Sequence, residues 1–194
     1  MADPFLTMVA GVIQRGGLPF ERLQQIRTGG FVTSVTFSGL DGNADGAWLL
    51  VGQYAMRPGI GDVRLSFLPN GIPAVAGDTS FQRRINDSLT TENNFLSNTL
   101  RLIDTQSQNG SFSAKGLFMS YISCSAIRGA PRFIRTLIAQ EDYLPALTER
   151  VGDFTTKLSG IGATNITSFD LVSNLGAGIG PNSEFTLFRV PTFS

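Results

Sequence analysis

The chain has 194 residues, 15 basic and 15 acidic, so its formal net charge is zero and only 15% of it is charged, against about 25% in an ordinary globular domain. It contains no histidine and a single cysteine, which excludes Ser-His-Asp and Cys-His nucleophile systems, imidazole-ligated metals and an intramolecular disulfide. What remains reads as one domain over residues 1–194, long enough to bury roughly 70% of its unfolded surface in a core without a covalent staple.

Asp3 and Pro4 open the first predicted element, a short helix that places Phe5, Met8, Val9, Val12 and Ile13 on one face and ends at Gly16-Gly17. A helix of that length is marginal alone and has to dock on this domain or on a neighbouring subunit. A second short helix over 19–27 carries Phe20, Leu23 and Ile26 and stops at Gly29-Gly30, so residues 1–28 read as a helical arm. The period then becomes two. Phe31, Thr33, Val35 and Phe37 alternate with Val32, Ser34, Thr36 and Ser38, and the apolar run 47–56 is the expected hairpin partner across DGNADG.

Arg57-Pro58-Gly59 and Pro69-Asn70-Gly71 are turn signals around a strand in which Val63, Leu65 and Phe67 alternate. From Ser80, the spacing of Phe81, Ile85 and Leu89 predicts a helix that continues through Leu100 and Ile103, with a break near 90–93. Residues 112–127 read as a strand pair or as one long strand interrupted at Gly116. Pro131 and Pro145 open helical runs with Phe133, Ile134, Leu137, Ile138, Leu147 and Val151, a helical insertion over 130–151. Residues 166–175 and 184–193, joined by a Gly-rich bend, make a closing hairpin. The fold class expected from this order is α+β, with antiparallel sheets and one or two packing helices.

Candidate chemistry is thin. Asp41-Gly42-Asn43-Ala44-Asp45-Gly46 matches the first half of a calcium loop, but Gly52 stands where the bidentate glutamate belongs, which favours a plain turn. The glycines of 160–163 and 176–180 lack the Gly-Lys-Ser/Thr of a phosphate loop and no convincing helix follows them. Arg128, Arg132 and Arg135, with Arg83-Arg84, could meet phosphates, or could lie on solvated faces and in ion pairs between subunits. Glu141 and Asp142 are adjacent and point apart, a poor acid-base couple. Cys124 sits in the apolar run YISCSAI and reads as a buried thiol. With 13 Arg against Lys115 and Lys157 alone, the cations are of the type that subunit contacts tolerate, although genomic bias gives the same count. The N-terminus lacks a basic leader and no stretch nears the ~20 apolar residues of a membrane helix, so a soluble protein made in a cytoplasm is expected.

YAMRPGIGDVRLSF at 54–67 and AVAGDTSFQRRIND at 74–87 carry a more specific signal. This strand, hooked loop, strand and Gly-Asp-x-x-Phe order resembles the tail-tube proteins of contractile phage tails. The resemblance implies a small β-sandwich whose sheets form a segment of a ring-closing barrel. Six copies would make a ring, and rings would stack into a tube inside a contracting sheath. Its partners would be further copies of itself, sheath and baseplate proteins, and DNA in transit, with no membrane, cofactor, metal or catalytic residue. It would reside in the virion tail, assembled in the host cytoplasm. Phe5, Val9, Pro58, Gly59, Ile60, Gly61 and Asp62 are the expected subunit contacts, and Gly77, Asp78 and Phe81 the expected fold motif. The insertion at 130–151 would decorate the tube or mark a tube initiator or baseplate member. A capsid decoration protein and an enzyme are the rival classes.

Overall fold

A computed structural model describes residues 20–57, 61–71, 77–85, 88–97, 100–107, 115–124, 132–143, 147–157, 164–174 and 176–190. Among these residues the chain is almost entirely β. Strands β1 (Glu21–Arg27) and β2 (Ser34–Ser38) precede a four-residue helix, α1 (Gly42–Asp45). There follow β3 (Ala47–Ala55), β4 (Gly61–Pro69), β5 (Gly77–Ile85), β6 (Ser88–Ser97), β7 (Leu100–Ser107) and β8 (Lys115–Ser123). The last four are β9 (Phe133–Tyr143), β10 (Leu147–Lys157), β11 (Ser168–Ser173) and β12 (Glu184–Val190).

Every strand pair is antiparallel. Eight strands form one sheet in the order β1, β12, β3, β8, β9, β10, β5, β6, and four form a second in the order β2, β11, β4, β7. The chain crosses between the sheets repeatedly, since β2 and β3, β3 and β4, and β11 and β12 each divide between them.

Alternation along the strands builds one core from both sheets. Val35, Phe37, Leu65, Phe67, Phe169 and Leu171 come from the smaller sheet. Trp48, Leu50, Tyr54, Phe118, Ile134 and Phe185 come from the larger. Phe169 is the meeting point. Its ring lies 4.8 Å from Phe37 and 4.6 Å from Phe67 within its own sheet, and 5.9 Å from Trp48 of the other. Ser120 and Thr136 face the same interior and satisfy each other across β8 and β9 at 2.8 Å.

Most expected helices are strands. Residues 19–27 are not helical: β1 pairs with β12, and a register slip between Arg22 and Gln24 lets Leu23 and Ile26, three apart, both pack on the core. The expected helix from Ser80 to Ile103 is β5, β6 and β7 among the described residues; the spacing of four that predicts a helix is also a multiple of two and fits the period of a strand. The insertion at 130–151 is likewise β9 and part of β10. In β9 the inward Ile134 and Ile138 alternate with outward Phe133 and Leu137, so two apolar faces yield the doublets of a helical stripe.

The expected hairpins are also corrected. DGNADG folds into α1 and joins strands of different sheets, and β11 and β12 do not pair with each other. Of the two readings of residues 112–127, the single strand holds among the described residues: β8 runs through Gly116 without a break. The α+β expectation therefore gives way to antiparallel β-sheets with one short helix among the described residues. The first helix of the arm, from Asp3 to the glycines at 16 and 17, lies outside the described residues.

Candidate assembly surface

The hooked loop leaves the end of β3 and enters β4, carrying the chain from the larger sheet to the smaller. At its start Met56 bridges to Ile179, and the Arg57 amide donates to the Gly178 carbonyl at 2.7 Å. At its end Gly61 and Asp62 stand opposite Ser107 and Gln106 of β7. Pro58, Gly59 and Ile60 lie outside the described residues, as do Phe5 and Val9. The structure thus fixes both anchors of the loop. Gly77, Asp78 and Phe81 open no helix: they begin β5, where the register slips between Gly77 and Thr79 and Phe81 stands between Phe154 and Glu92.

The α1 corner shows what the calcium-like sequence does. Asp41 caps the helix, accepting from the Ala44 amide at 3.1 Å and from Asn165 Nδ2 at 2.9 Å, and these bonds hold its carboxyl below the usual range. Asn43 Oδ1 accepts from Arg132. Asp45 is buried and turns the other way, accepting from Trp48 Nε1 at 2.8 Å and from Arg189 Nε at 2.6 Å. Arg189 reaches on to Glu21 at 2.5 Å, tying β12 and β1 to the corner. The three side chains are committed to different neighbours. Among the described residues no group of three or more Cys, Asp or Glu side chains could share a metal ion.

The Gly-rich bend is similarly committed. Its amides at Ala177, Ile179 and Gly180 donate to Thr33 Oγ1, the Val32 carbonyl and the Ala55 carbonyl, at 3.0, 2.9 and 2.6 Å. A phosphate would need those donors free. Thr28 and Ser183 complete the stitching: Thr28 Oγ1 donates to the Gly180 carbonyl at 2.6 Å and Ser183 Oγ to the same carbonyl at 2.9 Å.

Of the arginines expected to meet phosphate, Arg132 is buried, donating to the Thr164 carbonyl at 2.5 Å and to Asn43. Arg135 is exposed on the outward side of β9. The two do not form a shared patch, because Arg132 is buried and Arg135 is exposed. Cys124 is buried, and desolvation pushes its thiol well above the ordinary range despite the opposing charge of Arg132.

Sequence reasoning missed the outward side of the larger sheet. Leu117 is 58% exposed, and Val51 and Tyr121 are exposed beside it. The register sets Leu49 opposite Tyr121, Val51 opposite Met119 and Met119 opposite Leu137. The signal was present in the sequence as apolar residues at both parities of β3, β8 and β9, which the hairpin and helix readings absorbed.

Compared with known proteins, the chain matches no family model, no curated protein and no solved structure.

Proposed function

We propose that the chain is a structural subunit of a phage tail, assembling with itself into stacked hexameric rings that form the inner tube for genome passage. The observation that carries this reading is the open eight-stranded sheet. It ends at β1 on one side and β6 on the other, each hydrogen-bonded to a single neighbouring strand among the described residues. Such edges are templates for another chain, and natural monomers blunt them. In a ring the two different edges of successive copies would meet head to tail, and closure would remove them. On this reading the two sheets are the layers of a sandwich, and the larger supplies the barrel segment.

The resemblance at 54–67 and 74–87 gives the proposal its tail-tube specificity. The hooked loop from Pro58 to Asp62 suits stacking contacts, since its anchors on β3 and β4 are held by the bridges to the Gly-rich bend and to β7. A neutral chain suits a conduit, because a strongly basic lumen would retain each phosphate that passed. Sheath and baseplate proteins are the expected partners, and the subunit has no catalytic role.

Negative-stain electron microscopy of the purified chain at rising concentration tests this. Hollow rings or tubes of uniform width are expected. Persistent monomers would sink the self-assembling reading and leave a templated tube initiator, a baseplate member or a capsid decoration protein.

A further inference from the structure

Neighbouring strands of the larger sheet are antiparallel throughout, and it has eight of them, so its edge strands β1 and β6 run in opposite directions. Rotation about a ring axis leaves the direction of each strand along that axis unchanged. In a ring, β6 of one copy would therefore meet β1 of the next antiparallel, as the strands inside the sheet meet one another. Hydrogen bonds would then run around the ring and strands along it, so the strand ends would make two different rims.

The registers sort the loops between these rims. Arg27 of β1 stands opposite Glu184 of β12, Glu184 opposite Gln53 of β3, and Gln53 opposite Leu117 of β8. Beyond Arg27 the chain turns through Phe31 to Val32, which bridges to Ile179, and Ile179 bridges to Met56 at the start of the hooked loop. Phe31, the Gly-rich bend and the anchor of the hooked loop thus share one rim. The opposite end of β3 follows α1, and Trp48 there aligns with Ile122 and Arg189. Strand β2 links the rims, with Phe31 three residues before it and Asp41 three residues after it.

Phe31 is 54% exposed, yet the backbone beside it is fixed: the Val32 amide donates to the Ile179 carbonyl and the Ile179 amide to the Val32 carbonyl, both at 2.9 Å. An exposed aromatic ring on a fixed backbone loses little freedom when a partner covers it, which suits an interface anchor. In the segments around it, 27–33, 56–57 and 176–183, the charged side chains are Arg27 and Arg57, both exposed. Glu184, which opens β12, is occupied by Gln25 at 2.7 Å. At the α1 corner Asp41 is exposed with Asn43 and Ala44, whereas Asp45 is buried against Arg189. Stacking like rims would set Arg27 and Arg57 against their own copies, and stacking opposite rims sets them toward Asp41.

Given the ring reading, on which this inference rests, we propose that Phe31 anchors the contact between successive rings. It seats against Asn43 and Ala44 at the α1 corner of a copy in the next ring, with Arg27 and Arg57 facing Asp41. Because opposite rims meet, every added ring leaves a fresh rim for another, and the stack grows as a tube.

Electron microscopy of Phe31→Ser beside the unaltered chain provides the first test. The variant should form rings of unchanged diameter with several-fold fewer rings per tube, and its thermal midpoint should barely move because the side chain is exposed. Tubes of unaltered length would overturn the proposal, and so would loss of rings by a folded variant, which would move Phe31 into the joint within a ring. A second test does not depend on that variant: Phe31→Cys combined with Ala44→Cys, treated with a short thiol crosslinker, should give a ladder of multimers from assembled tubes. Either cysteine alone should give none, since Cys124 is buried. Dimers from Phe31→Cys alone would mean that like rims meet, and tubes without a ladder that the two sites do not touch; each result overturns the proposal. Rings of the unaltered chain that never stack would overturn it while leaving the ring reading intact. An unaltered chain that forms no rings would instead sink the ring reading, and this proposal with it.

Discussion

A Cβ built on Gly52 would stand 2.2 Å from Cε1 of Phe118, its cross-strand partner, so the strand carries glycine there because an aromatic ring occupies the space. Phe118 in turn contacts Tyr54 and Phe185, at 6.0 and 6.1 Å between ring centroids, and has little room to retreat. Gly52→Ala should cost about 1–3 kcal/mol by overpacking. Combining it with Phe118→Leu should cost less than the two changes summed, read from urea midpoints; strictly additive costs would refute the contact. Cys124 makes a pH prediction. Its thiol is raised by burial, with the charge of Asp45 adding and that of Arg132 opposing, so the folded state favours the neutral form. Stability from this group is complete below the unfolded value of about 8.5 and is lost as pH rises beyond it. Cys124→Ala should flatten the decline in stability between about pH 8.5 and 9.5, ahead of Tyr121, whose hydroxyl is also raised by burial and whose ordinary value is about 10. An unaltered slope would show that the thiol is not the titrating group.

At the scale of elements, the two sheets are joined through Phe169, which β11 inserts between Phe37, Phe67 and Trp48. Phe169→Ala should cost about 3–5 kcal/mol, and the loss should appear in one cooperative transition because both sheets share that core. Two separate transitions would instead mean that the sheets unfold independently. Strands with one apolar parity, such as β2 with Val35 and Phe37 inward, were legible in the sequence, and so was the antiparallel character of the sheets. Strands apolar on both sides were not. In β9 the pairs Phe133-Ile134 and Leu137-Ile138 fit a helical stripe as well as a strand, and only cross-strand partners decide between them. A bulge defeats the period in another way, as at Arg22 in β1. The corner around Asp45 was hidden because its motif was read for oxygen ligands, whereas the decisive spacing is the three residues from Asp45 to Trp48 that bring carboxylate and indole together. Sheet membership lay beyond any local reading, since β11 and β12 adjoin in the chain and belong to different sheets.

At the scale of the whole molecule, zero net charge and an open sheet bear on how the proposed rings would form. Like-charge repulsion is absent, and pairing at the β1 and β6 edges would use backbone groups whose strength depends little on ionic strength. Sodium chloride should therefore barely move the protein concentration at which rings first appear, whereas ammonium sulfate, which is excluded from protein surfaces, should lower it. The 13 arginines offer a different contact, pairing with carboxylates across the interface, which would weaken as salt screens it. Light scattering across a salt series separates the two, because edge pairing predicts almost no response to sodium chloride at fixed protein concentration and arginine pairing predicts a weakened association. A threshold that climbs steeply with sodium chloride would reject edge pairing as the main contact and assign it to the arginines. A flat threshold would leave the sheet edges as the joint, and the hooked loop between β3 and β4 would then be the segment whose shortening should separate stacked tubes into single rings.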